Sequence, residues 1–448
     1  MLYEDFKNFL EEKKVYIFGA GTLGRECLAL LLRHKISVEA FWDNDATKHG
    51  TLIEKIPIEK PHIVKNAVIV IAIWRYYNKV NEQLIKMGFA DENVFLKEEL
   101  DILDIHSQQI QEDNRNINEY PTTIQLPITY KCNFNCVMCG MQNLTGRKEI
   151  TAIELKKILS DRLFSHVKFV GINGGEPFLR RDLRECLNII IETLPQLEQI
   201  YIISNGFLTQ KILDDLLFLK NICTNKKIKI NLSISIDGIN DMQDFHRGMK
   251  DSFVNADKTI TNILKDRERY VDNLNVICTI TRYNISRINE VVVWAEKKEV
   301  EVEYNIATVN RRIDNLDKEK DFSIMQDEHS RMLATEFFYC LYQKTKKEKY
   351  FALYLYLQER KRYAKCPCQY SEWITVLPNG QIEFCATHSK SLGSGIEHSA
   401  YDLVNGSTDY LNEITNEYCQ KCSHYISALN VQGKRRLYEE CVKNRIMR

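Results

Sequence analysis

The sequence has no excess of charge of either sign, because 61 Lys and Arg residues balance 61 Asp and Glu residues. Proteins that hold nucleic acid mainly through its phosphates carry a basic excess, so the composition argues against that class. Long apolar runs are also missing. The run from Ala67 to Trp74 is among the longest, and it is far shorter than the roughly 20 residues that cross a bilayer. The first residues lack the apolar core of a signal peptide, so we expect a cytosolic protein without a membrane partner.

The cysteine content is the unusual feature of this composition. The 448 residues, 44% of them apolar, predict a folded protein of about three domains, but fourteen cysteines need an explanation in a reducing compartment. Five stand singly in apolar or helical contexts and are interpreted as core residues: Cys27, Cys186, Cys223, Cys278 and Cys340. The other nine have a spacing typical of metal ligation: Cys132, Cys136, Cys139, Cys366, Cys368, Cys385, Cys419, Cys422 and Cys441.

Residues 1–116 form the first predicted domain. A short apolar strand precedes the glycine loop Gly19-Ala20-Gly21-Thr22-Leu23-Gly24, and an amphipathic helix and a second strand ending at Asp43 follow it. This order is typical of a Rossmann-like unit, in which the loop and the helix N-terminus hold a phosphate and the acid binds ribose hydroxyls. We therefore predict a nucleotide-type ligand at Gly19, Gly21, Gly24 and Asp43. A turn that needs its glycines and binds nothing is the alternative.

A polar stretch from Asp101 to Tyr120 is interpreted as a linker, with a domain boundary near Asn116. In residues 117–325, six apolar strands alternate with helices, which predicts an α/β fold whose parallel sheet curls into a partial TIM-type barrel. Sites in such sheets lie at the C-terminal ends of the strands. Residues 326–448 are predicted to form a long connecting helix and a small cysteine-rich domain.

Cys132, Cys136 and Cys139 follow the first barrel strand directly. Three thiolates on one loop can ligate three irons of a cubane cluster and leave the fourth iron open, whereas a structural zinc site, the alternative, is closed by four ligands. This CxxxCxxC loop resembles the signature of the radical S-adenosylmethionine (radical SAM) superfamily, and the resemblance covers about Thr123 to Ile306. It implies a catalytic [4Fe-4S] cluster that binds S-adenosylmethionine and cleaves it to a 5′-deoxyadenosyl radical. The electron would come from a donor such as flavodoxin or ferredoxin.

Motifs at the other strand ends agree with this resemblance. Gly174-Gly175-Glu176-Pro177 resembles the family's GGEP motif, whose glutamate accepts a hydrogen bond from the methionine amino group; an exposed loop glutamate is the alternative. Polar residues that end the next two strands are expected to meet the ribose and the carboxylate of the cofactor: Ser204, Asn205, Ser235 and Asp237. The resemblance also implies that Arg247 pairs with the cofactor carboxylate, unless it is a surface charge, and that Met138 packs on the adenine.

The C-terminal cysteines resemble the SPASM and twitch extensions of radical SAM enzymes, which hold an auxiliary [4Fe-4S] cluster. The full SPASM pattern has a further cysteine at the position of Ala428, so one auxiliary cluster is expected rather than two. The expected ligands are Cys368, Cys385, Cys419 and Cys422, with Cys366 as the alternative to Cys368. A zinc ribbon built from the same cysteines is the competing interpretation.

The first domain also resembles the small Rossmann-like domain of nucleotide-sugar acyltransferases, through the segments VYIFGAGTLG and AFWDND. This implies a small-molecule substrate such as a nucleotide sugar. The first hypothesis is therefore a radical SAM oxidoreductase or epimerase that acts on a carbohydrate or nucleotide-linked molecule, as in surface polysaccharide biosynthesis. The alternative is a maturase of a ribosomally synthesised peptide, although no winged-helix leader-binding module is recognised. A non-enzymatic iron-sulfur scaffold is the third hypothesis, and the intact GGEP motif argues against it.

Overall fold

A computed structural model describes residues 3–73, 77–97, 99–101, 104, 117–424, 426–430, 432–434, 436–437 and 440. Most of the predicted linker, at positions 105–116, and Cys441 lie outside the described residues. Within the described part of the chain, no helix combines the length and the apolar character that crossing a membrane requires.

The first sheet is open and mostly parallel. Its strands are β1 (Lys14–Phe18), β2 (Ala40–Trp42), β3 (Leu52–Ile53), β4 (Ile56–Glu59), β5 (Ala67–Ile71) and β6 (Val94–Leu96), in the spatial order β3-β4-β2-β1-β5-β6. Strands β3 and β4 pair in the antiparallel sense, and the other pairs between these strands are parallel. Helices accompany this sheet: α1 (Tyr3–Phe9), α2 (Thr22–Arg33) and α3 (Tyr77–Lys86). Val15 and Ile17 join the apolar cluster on one face of β1, and Tyr16 and Phe18 join the cluster on the other face. Burial on both faces explains the continuous apolar run of this strand.

The second sheet has nine strands, in the order β12-β11-β10-β9-β8-β7-β13-β14-β15. They are β7 (Thr123–Thr129), β8 (Phe169–Gly174), β9 (Gln199–Ser204), β10 (Lys229–Ser235), β11 (Asn273–Ile280), β12 (Glu301–Ile306), β13 (Trp373–Val376), β14 (Gln381–Glu383) and β15 (Gly393–Ser394). Strands β7 to β12 are parallel neighbours in chain order, which confirms the predicted α/β fold of parallel strands alternating with helices.

The remaining helices are α4 (Ala152–Leu159), α5 (Leu183–Thr193), α6 (Thr209–Lys226), α7 (Asp241–Arg247), α8 (Ser252–Lys265), α9 (Arg267–Tyr270), α10 (Ile288–Lys298), α11 (Glu319–Phe322), α12 (Glu328–Thr345), α13 (Glu348–Glu359), α14 (Ala400–Asn405) and α15 (Thr408–Tyr418). Helix α4 begins with a capping box between Thr151 and Glu154. The two side chains satisfy backbone donors that would otherwise lack partners at the helix start.

One face of the barrel sheet packs against helices, and the other remains open. In β9, Ile200 and Ile202 are buried, but the alternate residues Tyr201 and Ile203 are 42% and 37% exposed. Successive side chains on a strand point to opposite faces, so these exposed residues lie on the concave face. Many barrels fill this interior with branched side chains. The unfilled interior here leaves space for a cavity.

The predicted long helix after the barrel is two helices. Helix α12 ends where Lys346 adopts a left-handed conformation with φ of 56°, and α13 begins at Glu348. The two helices fold back on each other through aromatic contacts, such as that of Phe338 with Tyr350. The interpretation of Cys340 as a core residue is wrong, because this cysteine is exposed on α12. The buried positions of that helix, such as Ala334 and Phe338, recur every four residues, and position 340 lies off this stripe.

The cysteine-rich segment is joined to the barrel through its sheet. Strand β13 pairs in parallel with β7, placing Trp373 opposite Thr123, and β14 and β15 extend the sheet in the antiparallel sense. Gly380 forms the turn between β13 and β14 with φ of +81°. The Arg312 N–H reaches the Ala386 carbonyl at 3.4 Å, so the segment that follows β14, including Cys385, lies beside the loop that follows β12.

Candidate active site

The three-cysteine loop opens onto a cavity of about 1040 Å³. The loop follows β7 directly, so it lies at the C-terminal end of the first barrel strand, as predicted. The sequence-predicted residues that line this cavity are Cys132, Cys136, Met138, Cys139, Gly174, Gly175, Glu176, Ser204, Asn205, Ser235 and Arg247. The fold therefore brings together motifs that are more than 100 positions apart in the chain.

The glycine pair of the GGEP turn lets this turn pack against the cysteine loop. The Gly175 N–H donates to the Thr129 carbonyl at 2.8 Å, and the Glu176 N–H donates to the Lys131 carbonyl at 2.8 Å. A side chain at Gly175 would overlap the Lys131 carbonyl. The absence of a Cβ at this position is thus what allows the two loops to touch.

Glu176 is fully buried, and its carboxylate accepts three hydrogen bonds. The donors are the Phe178 N–H at 3.2 Å, the Ser204 hydroxyl at 2.9 Å and the Asn205 N–H at 2.8 Å. Burial raises the pKa of Glu176 to about 7, although these donors and the charge of Arg247 act in the opposite direction. Ser204 and Asn205, the polar residues predicted at the end of β9, therefore orient this carboxylate.

Asp237 stands just after β10, as expected, but it is fully buried and is not among the residues that line the cavity. Its carboxylate lies 2.7 Å from Arg247 Nε and 2.8 Å from His246 Nδ1, and it accepts from the Thr279 N–H at 2.7 Å. Burial opposes ionisation, but Arg247, His246 and the Thr279 N–H together outweigh it and hold the pKa of Asp237 below its usual range. Asp237 thus fixes Arg247, whose guanidinium lines the cavity.

The thiols of the cysteine loop lie in a low-dielectric environment. Burial raises the pKa of Cys132 to about 12 and that of Cys136 to about 11, and it also raises the pKa of Cys139. The Phe134 N–H donates to Cys132 Sγ at 3.4 Å, and Arg247 Nη1 lies 4.0 Å from Cys136 Sγ. Donors directed at the sulfurs would stabilise thiolate ligands.

Met138, the residue expected to pack on adenine, is 8% exposed. It forms an apolar cluster with Ala307 and Phe322, and it also lines the cavity. Ser235 is buried and lines the same cavity at the end of β10. The structure thus places a soft apolar side chain and a hydroxyl group on the cavity wall.

The C-terminal cysteines surround a second cavity of about 20 Å³. The cysteines that line it are Cys366, Cys368, Cys385, Cys419 and Cys422. The His388 N–H donates to Cys385 Sγ and the His424 N–H to Cys422 Sγ, both at 3.4 Å. The Cys368 thiol donates a hydrogen bond to the sulfur of Cys366, and this hydrogen bond lowers the pKa of Cys366. His424 lines both cavities, so the two sites share a wall.

Among the residues that the structure describes, no three His, Cys, Asp or Glu side chains converge as the ligands of one metal ion.

The glycine loop of the first sheet has one open position. Side chains at Gly19 and Gly24 would overlap neighbouring backbone, whereas nothing lies within 4 Å of a side chain built at Gly21. Asp43 is already engaged, because it accepts from the Ala20 N–H at 3.0 Å and lies 2.8 Å from Lys48 Nζ. The Rossmann-like interpretation and its ligand remain predictions. The helix that follows the loop, α2, reaches the large cavity through Leu23 and Glu26.

A third group of site residues was not predicted from the sequence. The polar segment from Asn310 to Lys318 contains short turns that pack on the cysteine loop. The Asn315 side chain donates to the Met138 carbonyl at 2.7 Å, and Lys318 Nζ donates to the Cys139 carbonyl at 2.9 Å. Such contacts depend on the fold, and the local sequence shows only polar loop composition.

A model of the radical SAM superfamily matches residues 126–295. Residues 126–295 form a radical SAM domain. This radical SAM domain contains the three cysteines, the GGEP turn and Arg247, so the motif-based resemblance is confirmed. Residues 11–95 match a second family, described as C2185-like, N-terminal.

Relatives with curated names match part of the chain. A probable GTP 3′,8-cyclase of Methanopyrus kandleri is 36% identical over 95 residues, which is 21% of this chain and 30% of that protein. A probable GTP 3′,8-cyclase of Methanococcus vannielii is 31% identical over 121 residues, which is 26% of this chain and 37% of that protein. The match therefore spans about a third of the length of these relatives.

A solved structure has a similar fold. It is native anSMEcpe with bound AdoMet and Kp18Cys peptide, with a TM-score of 0.52 and 15% identity. The similarity covers 73% of this chain and 98% of that chain. At this level of identity it shows a shared fold that extends beyond the radical SAM domain.

Proposed function

We propose that the protein is a radical SAM enzyme that binds S-adenosylmethionine and its substrate in the large cavity between the two cysteine sites. The observation that carries this proposal is the convergence of three kinds of group on one cavity. Three thiols, the Glu176 carboxylate and the Arg247 guanidinium line it together. These groups match the thiolate, ammonium and carboxylate chemistry of an iron-bound amino acid.

The thiols of Cys132, Cys136 and Cys139 fit the ligand set of a [4Fe-4S] cluster with one open iron. When bound, this cluster supplies the electron that cleaves S-adenosylmethionine to methionine and a hydrogen-abstracting 5′-deoxyadenosyl radical. Glu176 would accept a hydrogen bond from the methionine ammonium group, and Arg247 would pair with its carboxylate. Met138 and Ser235 would contact the nucleoside portion. Asp237 holds Arg247 in position at 2.7 Å.

The C-terminal cysteines fit an auxiliary [4Fe-4S] cluster. Five thiols surround the small cavity, and four are needed for a fully ligated cluster, so we retain Cys368, Cys385, Cys419 and Cys422 as the proposed set. Bound there, the cluster would supply a one-electron redox centre for oxidation of the substrate. Backbone N–H groups directed at Cys385 and Cys422 support sulfur ligation.

The proposed substrate is a carbohydrate or another nucleotide-linked small molecule, which is oxidised or epimerised. Helix α2, which follows the glycine loop, lines the large cavity through Leu23 and Glu26. A nucleotide held by the N–H groups near Gly21 would therefore lie beside the same cavity. The names of the relatives, probable GTP 3′,8-cyclases, are compatible with a nucleotide substrate.

A peptide substrate is the second candidate. The observation that favours it is the fold similarity to anSMEcpe, whose structure contains a bound peptide. The similarity covers 73% of this chain, including more than the radical SAM domain alone.

The full-length, anaerobically reconstituted protein tests these proposals. With dithionite and S-adenosylmethionine, it should release 5′-deoxyadenosine; no release from cluster-loaded protein would contradict the radical SAM activity.

A panel of nucleotide sugars tests the substrate class, because a nucleotide-sugar substrate should increase this release and bind in calorimetry. Gly21→Val should weaken that binding without unfolding the protein, because position 21 has free space. Release of 5′-deoxyadenosine without any response to the panel would favour the peptide instead.

A further inference from the structure

Most cations on the wall of the large cavity are paired with carboxylates. The pairs are Lys97 with Asp101, Arg247 with Asp237, Lys347 with Glu301, and Lys349 with Glu303. These positive charges are neutralised within the protein. They therefore leave little net attraction for an anionic ligand.

Arg312 lines the same cavity but differs from these cations. Among the residues that the structure describes, no carboxylate lies within 4.0 Å of its guanidinium, and its buried Nε has no hydrogen-bond partner. Its Nη1 donates to the Asn173 side-chain carbonyl, at the end of β8. The guanidinium thus has one neutral acceptor and an unsatisfied donor directed into a partly buried environment.

The backbone holds Arg312 firmly at this place. Its N–H donates to the side chain of Asn310 at 2.9 Å, and the next residue, Ile313, accepts from the Gly140 N–H at 2.8 Å. The Arg312 N–H also reaches the Ala386 carbonyl at 3.4 Å, next to Cys385. Arg312 therefore lies between the three-cysteine loop and the C-terminal cysteine segment.

The nearby carboxyl of Glu383 is not an ion-pair partner of Arg312 within the described residues, and it leaves the Arg312 Nε without a hydrogen bond. Glu383 is also absent from the lining of the cavity among the described residues. A guanidinium with an unpaired donor in such an environment is stabilised by an oxyanion, which two parallel N–H groups can bind.

We propose that Arg312 anchors an oxyanion of the substrate, a phosphate or a carboxylate group, between the two cysteine sites. This inference rests on the proposed function, since it names a chemical feature of the substrate that enters that cavity. A phosphate would come from a nucleotide-linked molecule, and a carboxylate from a peptide or another acid. The anchor would orient the substrate relative to Cys139 and to the C-terminal cysteine segment.

Calorimetry on reconstituted full-length protein, saturated with S-adenosylmethionine, tests the anchor with two probes. Inorganic pyrophosphate represents the phosphate source, and N-acetylglutamate represents the carboxylate source. We expect one probe to bind the wild type, and Arg312→Gln to weaken its affinity by about tenfold or more. Arg312→Lys keeps the charge but loses the planar fork, so it should give an intermediate loss.

Arg311→Gln is the matched control, because Arg311 is exposed and adjacent and its loss removes the same charge. It should bind the probe as the wild type does. If Arg312→Gln fails to fold, Arg312→Lys compared with Arg311→Lys decides the matter. The anchor is overturned if wild-type protein binds neither probe, or if the Arg312 variants bind like the Arg311 controls. If cluster-loaded wild type releases no 5′-deoxyadenosine, the proposed function fails separately.

Discussion

The two cysteine sites of this protein differ in enclosure and in their neighbours. Three thiols open onto a cavity of about 1040 Å³ that Glu176 and Arg247 also line. In contrast, five thiols surround a cavity of about 20 Å³. The same side-chain chemistry therefore has two uses. In the proposed function, the three-thiol site has space for a second molecule beside its cluster, whereas the five-thiol site is closed around its cluster.

Removal of the open site should have the largest effect. Replacement of Cys132, Cys136 and Cys139 by Ala should reduce the iron content from about eight to about four per chain, because one of two clusters is lost. Release of 5′-deoxyadenosine should fall to background. Iron analysis and chromatography measure both quantities. Cys340→Ser is the control, since this cysteine is exposed and far from either set in the chain. Full iron content in the triple variant would contradict the comparison.

Removal of the closed site should have a narrower effect. The double variant Cys385→Ala with Cys422→Ala should also retain about four irons, but it should still release 5′-deoxyadenosine without substrate. The reason is that the groups proposed to bind S-adenosylmethionine line the other cavity. Complete loss of release from a variant that remains folded by circular dichroism would show that the two sites are not separable in this way.

Glu176 makes the open site sensitive to pH. Burial raises its pKa to about 7, so below that pH the carboxyl is mostly protonated and lacks the negative charge that attracts an ammonium group. Affinity for S-adenosylmethionine should therefore increase about tenfold from about pH 6 to about pH 8. Glu176→Gln should bind more weakly at the higher pH and lose this dependence. Glu185→Gln, at an exposed position, is the control. Equal pH profiles for all three proteins would remove Glu176 from the binding site.

The same ionisation affects stability with a defined sign. The folded pKa of Glu176 lies above the ordinary value of 4.5, so its contribution to the free energy of unfolding is fully present below about pH 4.5. This contribution is lost as the pH rises through about 7. Thermal unfolding of the cluster-free protein should show a larger decrease in Tm over this range for the wild type than for Glu176→Gln. A parallel decrease in both would contradict the burial argument.

The smallest expected difference concerns one position in the closed site. Cys366 and Cys368 both line that cavity, and only one is needed beside Cys385, Cys419 and Cys422. Our proposed ligand set predicts that Cys368→Ala loses the auxiliary cluster and that Cys366→Ala keeps about eight irons. Cys366 is the alternative ligand, because it lines the same cavity. The reverse result would exchange the two assignments without changing the two-site comparison.

Much of the open site could be predicted because its motifs are local and end consecutive strands. The CxxxCxxC loop follows β7, and the GGEP motif follows β8. Parallel strands in chain order bring such ends together, so the alternation of strands and helices was enough to place them on one edge. The break between helices α12 and α13 at Lys346 was less predictable, since the helical periodicity continues on both sides of it.

The partners of buried charges could not be predicted from the sequence. Asp237 and Asp43 stand at the expected strand ends, but each carboxylate accepts from or pairs with groups of the protein itself. Arg312 lies in a polar segment whose composition is that of an ordinary connecting loop. Its place in the cavity depends on the hydrogen bond to the Asn173 side chain and on the hydrogen bond between Gly140 and Ile313. These pairings join residues far apart in the chain, so only the folded structure specifies them.

Electron paramagnetic resonance of the dithionite-reduced protein tests the two-site account most directly. Titration with S-adenosylmethionine should change the signal of one reduced [4Fe-4S] cluster and leave the other unchanged. The responsive signal should be absent from the variant that lacks Cys132, Cys136 and Cys139, and it should persist when Cys385 and Cys422 are replaced. A response that survives loss of the three-cysteine loop, or a wild type with no responsive cluster, would contradict the account.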